Sequence, residues 1–421
     1  MTVSMLQRMS AAYGKPPQDA KFFWSGGPVS VATRTWFQSF FSGVTAFETD
    51  DGIVLVDSGL SRLAPALAQM LRGKTEAPIH TVVLTQGHVD HAYGIEAFVR
   101  EGDPTPRVIA HEAMPARFDR YAATAGHNQA INARQFGGTV DLHDAQLDTF
   151  HAPKIGPDTL YRDRLDFEVG GVAFQVHHCR GETDDHSWIW CPERSVLCPG
   201  DLMIWGVPNA GNPQKVQRYP WDWAAGLREM AAVRPRSLCP GHGGPIVDDP
   251  DLVGRILVET AELLETIVER TLVALNEGSP PHVDLVHTVA LPASDAPWLQ
   301  PIYDEAEFIV RNVIRFYGGW WSGRPSELKP ARRSAVALAV AELAGGARRL
   351  AERARRLAEA GELRLACHFA DYALEADPDD DRVCSAVSAI YERRAEGETS
   401  LMAANLFYSA AAYARDGRPF R

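Results

Sequence analysis

The sequence is short of cysteine, has no long apolar run and carries no excess of positive charge. Each shortage excludes something. Six cysteines (Cys179, Cys191, Cys198, Cys239, Cys367 and Cys384) are spread over 421 residues with neither CxxC spacing nor the density of a disulfide scaffold. Reduced, mostly buried thiols in a cytoplasmic protein are expected. No stretch approaches the roughly 20 apolar residues of a membrane span. The opening MTVSMLQRMSAAYGKPPQDAKFFW has no apolar core long enough for a signal peptide. The formal net charge of −12 argues against a nucleic-acid binder and against docking on an anionic membrane. An anionic small molecule stays open as a substrate, because a local metal or basic cluster overrides a global charge.

What is present is enough chain for about two domains. Residues 30 to 250 alternate β-rich runs with amphipathic segments. SGVTAFETDDGIVLVDSGL reads as two strands joined by a turn at Asp50-Asp51-Gly52. SRLAPALAQMLRG reads as a helix with Ser61 as its cap and Gly73 as its stop. IHTVVLTQ is a predicted strand and AYGIEAFVREG a predicted helix. The pattern suggests sheets covered by helices. From residue 251 the character changes. DLVGRILVETAELLETIVERTLVALNEG is a long amphipathic helix. The stretch from Ala331 to Ala414 is rich in Ala, Leu, Arg and Glu, with breaks at AGG, AGE, DPDDD and EGETS. Those breaks predict several helices of roughly 12 to 18 residues, forming a packing or dimerisation module. Trp320 and Trp321 in GGWW are expected to pack at the domain junction.

Four short motifs carry chemistry. TQGHVDH follows the apolar run TVVL, and residues 86, 88 and 90 would alternate along a strand-like path toward one side. Asp90 and His91, being adjacent, point differently and can serve a second ion. HHCRGETDDHSWIW packs His177, His178, Glu182, Asp184, Asp185 and His186 between apolar runs. CPGD ends a third strand with Asp201, and CPGHGGP places His242 in a Gly- and Pro-rich turn. The loop WGVPNAGNPQKVQRYPWDW follows Asp201 directly. Its Asn209, Asn212, Lys215 and Arg218 are candidates for holding an anionic group. RYAATAGHNQAINARQFGG is a candidate lid, with His127, Asn128, Arg134 and Gln135 as possible contacts.

The order HxDH, an acid after Gly, GD and GHG resembles the metallo-β-lactamase superfamily of hydrolases over residues 30 to 250. VLVDSG with Asp57 matches an early strand of that family. Gln86 and Glu182 stand where the family usually has histidines. IYDEAEFIVRNVIRFYGGWWSGRPSELKP and the helices after it resemble the dimerisation domain of alkyl sulfatases, which also carry a carboxylate in place of the third histidine. Those sulfatases keep the histidine that is Gln86 here, and their C-terminal lipid-binding-like domain is not expected behind this chain's helices.

The resemblance implies an α/β fold. A metallo-β-lactamase αββα sandwich would occupy residues 1–250, with a linking helix and connection over 251–330 and an all-helical dimerisation domain over 331–421. It implies two divalent ions, zinc foremost with manganese or iron allowed. Gln86, His88 and Glu182 would hold one ion; Asp90, His91 and His242 would hold the other. Asp201 and a hydroxide would bridge them. Asp90 would orient the hydroxide or relay its proton, and His186 is a candidate second catalytic group. An amide oxygen is a weaker zinc ligand than imidazole, so Gln86 either holds its ion loosely or does not touch it. Asp90, His91, Asp201 and His242 alone make a full tetrahedral set. The expected function is hydrolysis of a sulfate ester or related ester of a small molecule by a homodimer. A lactone, carboxylic ester or amide hydrolase is the alternative of the same fold. A di-iron redox protein and a non-catalytic binding protein are the alternatives of other classes.

Overall fold

The computed structural model describes residues 5–12, 24–138, 150–151, 153–278 and 282–420. Part of the N-terminal stretch in which no signal peptide is expected therefore lies outside the described residues. Two sheets form in chain order. The first has seven strands: β1 (Gly26–Ala32), β2 (Thr35–Ser39), β3 (Gly43–Thr49), β4 (Gly52–Val56), β5 (Ile79–Val83), β6 (Arg107–His111) and β7 (Thr159–Tyr161). It is antiparallel from β1 to β4 and parallel from β4 to β7. The second has five: β8 (Arg164–Val169), β9 (Val172–His178), β10 (Ser187–Cys191), β11 (Val196–Ile204) and β12 (Ser237–His242). Only its β11–β12 pair is parallel.

Side-chain alternation separates two cores around the first sheet. Val54 and Val56 of β4 join a core shared with Phe174, Val176 and Ile189 of the second sheet. Phe47 meets Phe174 edge-on at 5.3 Å between centroids. Ile53 and Leu55, one residue out of step, face a separate core with Leu67 and Leu71 of the helix Ala64–Arg72. The period of two thus makes one sheet serve two layers. The helices Pro220–Ala232 and Pro250–Asn276 cover the second sheet, and their Trp223, Leu227, Ile256 and Leu264 join the same connected core. The result is the expected αββα sandwich. Arg194, in the β10–β11 turn, ties the sheets together. Its guanidinium donates to the carbonyls of Arg34 (2.8 Å) and Glu48 (2.7 Å).

The Pro250–Asn276 helix starts where its sequence says it should. Pro250 needs no amide partner at the first position, and the Asp249 side chain accepts from Leu252 N at 3.0 Å. The inter-sheet core continues into the helix Ala306–Gly318 through Ile309, Val310, Val313 and Ile314. A second body forms from Arg333–Ala344, Ala347–Glu359, Leu363–Ala376, Asp381–Glu396 and Leu401–Arg415, around its own core of Ala, Leu and Val. The helix breaks fall at AGG, AGE, DPDDD and EGETS. Gly345 and Gly361 take positive φ (82° and 88°), while Asp380 and Ser400 cap the next helices.

Three local expectations are corrected. Ser61 caps nothing: the helix begins at Ala64, with Pro65 in its first turn setting the start. After Ala92, AYGIEAFVREG forms only a 3₁₀ turn over Ile95–Phe98, and Gly94 N donates to Ser58 Oγ (3.0 Å) rather than to a helix carbonyl. Trp320 is 77% exposed rather than packed at a junction, and Trp321 is partly exposed.

The last helix leans on the sandwich. Leu401 N donates to Ile302 O (2.7 Å), Asn405 Nδ2 to Gln135 O (3.0 Å) and Ser409 Oγ to Gly138 O (2.7 Å). The loop after β11 presses on the Ala306–Gly318 helix at Gly211. A Cβ there would lie 2.4 Å from Ile309 N and Phe308 C. Gly211→Ala is therefore expected to cost about 1–3 kcal/mol, read as a lowered midpoint in denaturant unfolding.

Candidate metal centre

Asp57 ends β4 with a strained positive φ of 59°, and its carboxylate is buried. Oδ1 accepts from Thr85 N (2.8 Å) and Oδ2 from Thr85 Oγ1 (2.7 Å). Oδ2 also lies 2.8 Å from His91 Nδ1. That contact places the imidazole proton on Nδ1 and leaves Nε2 as a lone pair facing inward. Ser58 adds a second hold, its Oγ donating to His91 O at 2.9 Å. Residues 86, 88 and 90 do not follow one strand-like path. β5 stops at Val83, His88 is extended, and Val89–Ala92 is a helical turn. The turn is what aims Asp90 and His91 at the same point.

His242 ends β12 and donates Nδ1–H to Phe41 O (2.9 Å). Its Nε2 then lies 3.4 Å from Asp90 Oδ2 and 3.4 Å from Asp201 Oδ1. His91 Nε2 lies 3.2 Å from Asp201 Oδ2 and 3.6 Å from Asp90 Oδ2. Asp90, His91 and His242 form one group that could hold a metal ion; His88, Glu182 and Asp201 form a second. His91 Nε2, Asp201 Oδ1 and Gln86 Oε1 are buried without a hydrogen-bond partner. Each such orphan costs on the order of 1–3 kcal/mol, and a cation at their centre would relieve the cost. The donor set of two imidazole nitrogens and carboxylate oxygens fits a divalent ion. Only His88, Asp90 and His242 are partly exposed among the two groups, so they line the mouth.

Electrostatics agree with the geometry. Burial opposes charge on His242, but Asp201 and Asp90 outweigh it and push the imidazole up to about 10. His91 is likewise raised well above its usual value, by Asp201, Asp90 and Asp57 against burial. The acids call for positive charge at this point, and protons supply it when a metal does not. His88 behaves in the opposite way. Burial, then Arg218 and Arg117, holds it well below the usual histidine range.

The remaining candidates fall into place unevenly. Gln86 is fully buried, and its Nε2 donates to Asp201 Oδ2 at 2.6 Å. Glu182 Oε1 accepts from Asn209 Nδ2 (2.7 Å) and pairs with the Arg218 guanidinium. Lys215 Nζ donates to Asn132 Oδ1 (2.6 Å), close enough to Asp90 to feel its charge. Asn212 braces the loop, bonding Gln135 Oε1 (3.3 Å) and Gln214 N (3.1 Å). His186 sits behind Asp201, not at the mouth. Its buried Nε2 accepts from Asp201 N (3.1 Å), and burial pushes it down to about 4, so it stays neutral. Arg134 reaches away, its guanidinium 5.6 Å from the Phe420 ring centroid, and His127 lies exposed. His177 is stacked on Trp188 and His178 on His111.

Sequence reasoning missed Arg117. It is buried, donates from Nε to Asp185 Oδ1 (2.8 Å) and pairs with Asp184. Asp185 in turn accepts from Gly87 N (2.9 Å), so this cation pins the TQGHVDH loop from below. A lone arginine in an amphipathic helix gives no sign of this. Also missed were Asn132 and Asp304, which brace the loop after β11 through Lys215 Nζ (2.6 Å) and Gly211 N (2.6 Å).

Comparisons with known proteins define the class first. Residues 40–242 match the metallo-beta-lactamase superfamily, and residues 282–417 match the alkyl sulfatase dimerisation domain. The chain thus joins a metallo-beta-lactamase domain to an alkyl sulfatase dimerisation domain, and it is homologous to the alkylsulfatases. A linear primary-alkylsulfatase of Pseudomonas sp. is 27% identical over 354 residues, covering 79% of this chain and 66% of the relative. An (R)-specific secondary-alkylsulfatase of Pseudomonas sp. is 24% identical, covering 80% and 54%. An alkyl/aryl-sulfatase of Saccharomyces cerevisiae is 23% identical, covering 80% and 55%. The solved structure of the stereoselective inverting sec-alkylsulfatase Pisa1 from Pseudomonas sp. shares the fold. Its TM-score is 0.81 at 21% identity, over 93% of this chain and 66% of that one. The chain spans between 54% and 66% of the length of these relatives.

Asp57→Ala frees the His91 ring and is expected to weaken metal affinity by roughly 10–100-fold. Competition against a chromophoric chelator measures it.

Proposed function

We propose that the chain is a metal-dependent hydrolase that cleaves sulfate esters of small organic molecules. The observation that carries this is the pair of three-residue groups, one of which contains Asp201, with His91 Nε2 and Asp201 Oδ1 buried and without hydrogen-bond partners. The superfamily implies divalent ions. In this reading the first position uses Asp90, His91 and His242, the second His88 and Glu182, with Asp201 between, and zinc is the foremost ion. Such ions supply Lewis acidity, lowering the pKa of water and drawing charge from an ester oxygen.

This chain's own residues do the rest. Asp90, partly exposed at the mouth, is placed to accept a proton from an incoming water. His186 and Gln86 hold the Asp201 carboxylate from behind through its backbone N–H and Oδ2. Asn209, Lys215 and Arg218 put an amide, an ammonium and a guanidinium on one loop next to the cluster, the set a sulfate group requires. Asn212 keeps that loop in shape. Arg134 and His127 stand further off, on the candidate lid helix Ala125–Gln135.

Catalysis is assigned to residues 1–250, with 251–330 as the connection and 331–421 as the dimerising part. Homodimerisation through the C-terminal helices is supported by the match over 282–417 and by exposed Leu338, Leu343 and Leu365 on those helices. Six unpaired cysteines, five of them buried, suit a reducing cytoplasmic setting. Among the described residues no helix is long and apolar enough to cross a membrane.

The test is sulfate release from primary and secondary alkyl sulfates of graded length, run beside carboxylic esters and lactones. Metal-dependent sulfate release that disappears in Asp201→Ala is expected; lactone or ester cleavage without sulfate release would sink the proposal. Burial pushes the Lys215 ammonium down to about 8, so it is charged below that pH and neutral above it. KM for an alkyl sulfate is therefore expected to rise on the order of tenfold as the pH passes this value. Lys215→Met should flatten that part of the profile.

A further inference from the structure

The two metal positions are not equivalent, and the difference lies in what already holds their carboxylates. Asp90, in the first group, faces histidines. Glu182, in the second, is held by a buried cation. One oxygen, Oε1, takes both the Asn209 amide at 2.7 Å and the Arg218 guanidinium, and it is also the oxygen 3.8 Å from His88 Nδ1. Oε1 is the Glu182 oxygen recorded against His88, so an ion held between the two residues through it competes with Asn209 and Arg218. Gln86 turns its amide nitrogen to Asp201 and leaves Oε1 without a hydrogen-bond partner, so it offers a neutral oxygen and no charge to offset the competition.

Arg218 cannot give up Glu182 freely. Its side chain is 2% exposed and its Nε has no hydrogen-bond partner. Released from Glu182, the buried guanidinium would face a divalent cation with Asp304 as its remaining acidic neighbour, which is disfavoured. An anion arriving at the same place removes that penalty. Room exists for a small shift: Arg218 borders a cavity of about 50 Å³ with Trp221, Val313, Phe316 and Tyr317.

We propose that Arg218 occupies Glu182 in the resting enzyme and that the second ion and an oxyanion enter together, the ion taking Glu182 and the anion taking Arg218. This rests on the metal-site reading above. Linkage is reciprocal: the factor by which sulfate tightens the second ion is the factor by which that ion tightens sulfate. The site is thereby a one-ion centre at rest that completes itself when an anionic group is present.

The experiment is zinc titration of chelator-stripped protein by calorimetry, with metal counted after dialysis, in the presence and absence of inorganic sulfate. The wild type is expected to hold one tight ion per chain and a second at least about tenfold weaker. Saturating sulfate should tighten the second by about 5–150-fold. Arg218→Met should bind the second ion more tightly than the wild type and lose the sulfate effect. Arg218→Lys, which keeps the charge, should retain the inequality and controls for folding. Two ions of equal affinity in the wild type, insensitive to sulfate, would overturn the proposal, as would an unchanged second affinity in Arg218→Met. Absence of any bound ion in the wild type is a different result, and overturns the metal-site reading itself.

Discussion

Asp201 is the carboxylate on which the rest of the centre depends. It sits where β11 runs parallel to β12, so one strand delivers the acid and its neighbour delivers His242. The strands approach closely there. A Cβ at Gly241 would lie 2.0 Å from Asp201 Oδ1, and a Cβ at Gly200 would lie 2.7 Å from His186 Cε1. Glycine at both places is what lets the acid, the two histidines and the buried backing residues share one small volume. Burial would drive the Asp201 proton on, but His91 and His242 hold the group well below the usual carboxylate range. The charge balance is local, and the net charge of the chain plays no part in it.

Around that acid the supports are arranged in pairs. Asp57 orients His91, and Phe41 O orients His242. Asp185 and Arg117 fix the loop that carries Gln86 and His88. His91, His242 and the loop with Gln86 and His88 thus take their support from distant parts of the chain, and so the site is a property of the whole sandwich.

Much of this was legible in the sequence. The two strands and the turn read in SGVTAFETDDGIVLVDSGL formed as β3 and β4, and the AGG, AGE, DPDDD and EGETS breaks became a left-handed glycine turn or a side-chain cap. The brought-together acids and histidines were each visible as a residue at the end of an apolar run. What could not be read was partnership. Nothing in TQGHVDH tells that Gln86 turns its nitrogen to Asp201, and nothing in RGET tells that Glu182 meets an arginine 36 residues later. Those pairings depend on loop paths fixed by long-range packing, such as Gly211 against the Ala306–Gly318 helix. AYGIEAF failed for a related reason: Gly94 N is taken by the Ser58 hydroxyl, a partner 36 residues away.

The last helix has a mechanical consequence. It is bonded to Gln135 and Gly138 at the end of the Ala125–Gln135 helix and to Ile302 and Tyr303 in the segment before the Ala306–Gly318 helix. Gln135 and Tyr303 are themselves bonded to each other. The last helix therefore acts as a splint across these two segments, one of which ends in Gln135, itself bonded to Asn212 of the loop after β11. Bending or shifting that splint moves both segments at once, although none of its residues reaches the metal cluster.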